Sequence, residues 1–168
     1  MATRSLITQL LLWYNVLSMS IWFGGTIYQM LVIVPLWSSS PPESVRAFFQ
    51  GTEYMRTIRH FFGPPTMLAR GLPLLLGLIA GWELRTHRFW LAVPVVCMIV
   101  GLVMTLAYIY PINDILFAKA GGDLAPEAVR KLARQWIIAD RLRLAIMTIG
   151  FLSLLRALSI PFPAAPRS

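Results

Sequence analysis

The sequence predicts an all-α integral membrane protein, an up-down four-helix bundle with two interfacial amphipathic helices on one side. Three observations lead there. Hydrophobic residues make up 57% of the chain and charged ones 13%, and the mean hydropathy is +0.67, too apolar for an ordinary soluble domain. Four apolar runs, at about residues 6–36, 61–82, 89–110 and 136–158, are each long enough to cross the hydrocarbon once. The two longer links between them each hold an amphipathic helical pattern, whereas the link between the second and third runs is a short turn. The chain, 1–168, reads as a single transmembrane domain.

The first run follows a short basic start that imitates a signal peptide, but it is too long for such a leader and no small-residue cleavage site interrupts it. A helix of this length tilts or protrudes. Gly24 and Gly25 would let a neighbour approach closely, and Asn15 is suited to an interhelical hydrogen bond. Next comes SSSPPES, where Ser40 is the expected cap and Pro41 and Pro42 suit a first turn. Residues 45–58 read as one amphipathic helix, with Val45, Phe48 and Phe49 on its apolar face. The second run opens at RHFFGPP and carries Arg70 about 15 Å along a helix, where a lone arginine needs a partner or a wet cavity. His87, in the turn that follows, reads as a solvated loop residue. The third run leaves the membrane through YIYPINDILF. A surface helix over 126–135, apolar at Val129, Leu132 and Ala133 and basic at Arg130, Lys131 and Arg134, feeds the fourth run.

Charge narrows the partners. The net charge is +8, but the basic residues are scattered among apolar runs with no basic stripe, so membrane-surface phosphates fit better than nucleic acid. The undiluted RTHR turn leans the orientation towards cytoplasmic termini, and a bacterial inner membrane is the expected location. Cys97 is the sole cysteine, so the chain cannot form an intramolecular disulfide. With only His60 and His87 as imidazoles, zinc sites built on several Cys and His are excluded.

Up-down topology brings both long links to one side. Tyr28, Gln29, His60, Tyr108, Tyr110, Asn113, Asp140 and Arg143 would meet there, with Arg70 deeper. Ionisable groups at that depth are costly and mark function, or else hold helices together, Arg70 or Arg143 pairing with Asp140. His60, whose reference pKa near 6.5 suits proton transfer, is the candidate base.

The order IWFGGTIYQMLVIVPLW, RHFFGPPTML, YIYPINDILF and W(x)3D(x)2R resembles the anthrone oxygenase-like family of small four-helix membrane proteins. In that family a Pro-x-Asn follows the third helix, matching Pro111 and Asn113, and an Asn-x-x-Arg opens the fourth, matching Arg143; Asp140 stands where Asn is usual. The resemblance implies an enzyme that takes a small apolar, aromatic substrate from the bilayer, removes a proton next to a carbonyl and lets oxygen add to the carbanion. In it Arg143 or Arg70 stabilises the enolate, Tyr110 and Asn113 hold substrate oxygens and Asp140 orients an arginine. A local stretch, RHFFGPP, is similar to the His-x-x-Gly-Pro of styrene oxide isomerase, which implies haem b on His60 with the iron acting on an epoxide; without it the enzyme is cofactor-free. The remaining alternative is a membrane scaffold or transporter subunit, with GG and GLIAG surfaces packing a homo-oligomer.

Overall fold

The computed structural model describes residues 2–50, 53–119, 122 and 124–162. Among these the chain is all-α, with no strand. Four helical stretches, Leu6–Ser38, Arg56–Gly81, Arg85–Phe117 and Pro126–Ser159, are long and apolar enough to cross a membrane. That agrees with the four runs read from the sequence, although the third and fourth stretches extend well past the predicted 89–110 and 136–158.

Helix α1 (Ala2–Tyr28) passes through a π-helical segment (Gln29–Ile33) into α2 (Val34–Ser38). After α3 (Glu43–Phe49), α4 (Tyr54–Phe62) and α5 (Pro64–Gly81), helix α6 (Arg85–Met104) behaves as α1 does. It runs through a π segment (Thr105–Ile109) into α7 (Tyr110–Asn113), then through another (Asp114–Ala118). The first two π segments each stop two residues before a proline, Pro35 and Pro111. A proline donates no N–H and crowds the carbonyl one turn back, so the turn before it widens to the longer register.

Pro73 in α5 has the same effect on Ala69, whose carbonyl loses its helical donor. The hydroxyl of Tyr14 donates to that carbonyl at 3.0 Å, which satisfies a group that lipid cannot. Asn15 Nδ2 donates to Pro73 O at 3.1 Å, the expected interhelical bond. A Cβ on Gly25 would stand 2.5 Å from the ring of Phe61 in α4, so this glycine allows α1 and α4 to approach, whereas Gly24 meets nothing within 4 Å. Helix α8 packs on α6: Gly150 lies against Pro94 and Cys97, Gly101 against Met147. Helix α1 also contacts α8, and α5 contacts α6, which closes the ring of four.

Three expectations change. The single helix over 45–58 is two, α3 and α4; Val45 and Phe49 are buried as the pattern requires, and Gly51 and Thr52 lie outside the described residues. The surface helix over 126–135 is the first part of α8, a continuous 34-residue helix about 50 Å long against roughly 30 Å of hydrocarbon. Ser40 does not cap through its side chain; Ser44 Oγ instead accepts from the Ser40 N–H at 3.1 Å and donates to Trp37 O at 2.7 Å.

Two cores result. One, between the helix middles, holds Leu12, Met19, Trp22, Leu74, Leu91, Met147 and Leu154. The other gathers α2, α3, α7 and the start of α8 around Trp37, Phe49, Phe117 and Trp136. Their rings meet edge-on or stacked at centroid distances of 4.3 to 6.1 Å, the arrangements that aromatic quadrupoles favour.

Candidate functional site

Between the two cores, α8 presents Trp136, Asp140 and Arg143 to the third stretch. Their i, i+4, i+7 spacing places them along one face. Trp136 Nε1 donates to Asn113 Oδ1 at 2.6 Å. One helical level deeper, Arg143 Nη1 donates to Thr105 Oγ1 at 3.2 Å, and Thr105 donates onward to Gly101 O at 2.7 Å. Arg143 Nη2 pairs with Asp140 Oδ1. Asp140 is 0% exposed and the Arg143 side chain 11%, so the pair is shielded from solvent and each charge depends on the other.

The pairing is incomplete. Asp140 Oδ2 and Arg143 Nε are buried without a hydrogen-bond partner among the described residues. Buried polar atoms left unpaired are costly and need an explanation. Neither atom reaches solvent, so one acceptor and one donor of the same ion pair are enclosed without a partner.

The other expected residues separate. Arg70 does not pair with Asp140 in the described structure; its guanidinium lies 5.6 Å from the Trp22 ring centroid, a cation–π contact on the α1–α5 side. Tyr110 is half-buried at the start of α7, while Tyr28 and Tyr108 are exposed. Gln29 Oε1 is buried and unpartnered at the first π segment. His60 is exposed on α4, outside both cores. It lacks the buried apolar surround by which proteins hold and tune haem, so haem b gains no support. No cluster of three or more His, Cys, Asp or Glu forms among the described residues.

His87 is the buried histidine, not a solvated one. It is 0% exposed, donates from Nε2 to Ile160 O at 3.3 Å and accepts at Nδ1 from Thr86 Oγ1 at 3.1 Å, and its ring lies 4.3 Å from that of Phe162. Position in a polar RTHR turn gave no hint that the chain after α8 folds back over it.

Thr105 and Trp136 were missed as site residues. Thr105 had a signal, being the one hydroxyl between residues 89 and 107. Trp136 shares the apolar face of Val129, Leu132 and Ala133 in the sequence pattern, and only the fold reveals that its N–H meets Asn113.

The profile of the anthrone oxygenase family matches residues 53–153, a segment that contains His60, Arg70, Tyr110, Asn113, Asp140 and Arg143. No curated protein and no solved structure matches the chain.

Proposed function

The chain belongs to the anthrone oxygenase family, and on that premise we propose that it is a membrane-embedded oxygenase whose four spans run up and down around the Asp140–Arg143 pair. Its substrate is a small apolar, aromatic carbon acid that partitions into the bilayer and reaches the pair from there. The carrying observation is the half-used ion pair: Oδ1 of Asp140 is engaged, Oδ2 is free, and Nε of the same arginine is free beside it.

The free carboxylate oxygen takes a proton from the activated carbon conjugated with the substrate carbonyl, while the carbonyl oxygen, becoming an enolate, faces the guanidinium. The C–H electron pair stays on the substrate, molecular oxygen adds to that carbon as a peroxide that takes the proton back from Asp140, and loss of water from the hydroperoxide leaves a new carbonyl. Thr105 and Asp140 fix the guanidinium from two sides, so little reorganisation is needed when charge develops. Asn113, held by Trp136, and Tyr110 bound the site towards the aromatic core. Burial and the free oxygen favour Asp140 over the exposed His60 as the proton acceptor, and because Asn is usual at this position in the family pattern, a carboxylate base here is particular to this chain.

Oxygen uptake on addition of anthrone to membranes containing the chain tests this. Uptake that depends on Arg143, lost in Arg143→Lys, supports the reading. Equal uptake by parent and Arg143→Lys membranes overturns it.

A further inference from the structure

We propose that the cleft between the end of the third helical stretch and the start of α8 binds the phosphate headgroup of an anionic lipid. The cleft encloses about 650 Å³, within the roughly 300–1,000 Å³ of small-molecule sites. One wall carries Ile115 and Lys119; the other carries Leu124, Lys131, Leu132 and Gln135. Two lysines thus line a single cleft from opposite walls, and no acid is among its described lining residues. The acid of the first turn of α8, Glu127, is engaged by Arg130 at 3.3 Å.

Like charges brought to one cleft repel and attract an anion between them. The rest of the lining is apolar apart from Gln135, so the ligand that fits is charged at one end and greasy at the other. A free phosphate satisfies the lysines but leaves most of the volume and all of the isoleucine and leucine surface unused. An anionic phospholipid uses both.

Depth and rigidity agree with that occupant. Lys131 lies about 7 Å along α8 beyond residue 136, where the apolar run begins, which is headgroup depth in a bilayer. The rim at Gly122 is tied down. Its N–H donates to Lys119 O at 2.7 Å, its carbonyl accepts from Arg46 Nη2 at 3.3 Å, and its φ of +51° is one that glycine adopts without penalty.

The test uses the full chain in nanodiscs made from equal amounts of phosphatidylglycerol and phosphatidylcholine, with the retained lipid identified by native mass spectrometry. The parent should retain phosphatidylglycerol in preference, and Lys119→Gln with Lys131→Gln should lower that preference about thirtyfold, as expected for two juxtamembrane lysines. Arg134→Gln, with Lys119 and Lys131 kept, removes a neighbouring exposed charge outside the cleft and should leave the preference intact. Equal losses in the double variant and in Arg134→Gln would overturn the site in favour of diffuse surface charge, as would full retention in the double variant. Displacement of the lipid by inorganic phosphate alone would overturn the lipid assignment.

Discussion

Arg143 donates to Thr105 across the α6–α8 interface at 3.2 Å while the same guanidinium holds Asp140 on its own helix. The arginine is therefore positioned from two helices, and the threonine that does half of this stands at the start of a π segment created by Pro111. Thr105→Val keeps the shape and removes the acceptor. It should cost about 1 kcal/mol of stability and lower kcat more than it raises KM, with Thr105→Ser restoring both. An unchanged kcat in Thr105→Val would leave this residue a packing role only.

Cutting either member of the buried pair should not be equivalent to cutting a surface one. Asp140→Ala leaves the Arg143 charge uncompensated in a dry interior, at about 3–5 kcal/mol, whereas Glu53→Ala breaks an exposed pair with Arg56 worth at most about 1 kcal/mol. Thermal denaturation in detergent checks the contrast; similar shifts in the two variants would refute it.

Trp136→Phe removes the N–H that donates to Asn113 but keeps a ring against Trp37 and Phe117. The bond is only part-buried, so its loss costs about 1 kcal/mol. Asn113→Leu in the same background should recover part of that loss, because no polar atom is then left over. Failure to recover would assign the cost to ring size instead.

Alkaline stability should depend on Tyr54. Burial first, and the Tyr28 phenol second, push its pKa from 10.0 up to about 12. A raised tyrosine pKa favours the neutral folded form, so its contribution is intact below pH 10 and is lost as pH rises towards about 12. Tyr54→Phe should flatten the stability profile over that window. A profile identical to that of the parent would show that another group titrates there.

The helices were legible because length and hydropathy alone select them, and lipid permits little else. Asp140 with Arg143 was legible too, since two opposite charges three residues apart in an apolar run have few alternatives to pairing. Hydrogen bonds between distant segments were not: Asn113 and Trp136 are 23 residues apart, and either polar group could have faced the interface. His87 failed for a related reason. Its partner is the backbone of Ile160, and a carbonyl carries no sequence signal. The split of 45–58 into α3 and α4 begins at Gln50, whose backbone turns extended after Phe49, and the helical period carried no signal for it.

Proton removal at Asp140 can be separated from everything that follows it. Without oxygen, an enzyme that reversibly deprotonates its substrate should exchange the acidic C–H of anthrone for deuterium from solvent, and this exchange can be followed by NMR for the parent, Asp140→Asn and His60→Ala proteins. Exchange is expected in the parent, with a loss of at least about 100-fold in Asp140→Asn and near-parent exchange in a colourless His60→Ala protein. Parent-level exchange in Asp140→Asn, with loss confined to His60→Ala, would contradict it and move the base to the exposed histidine.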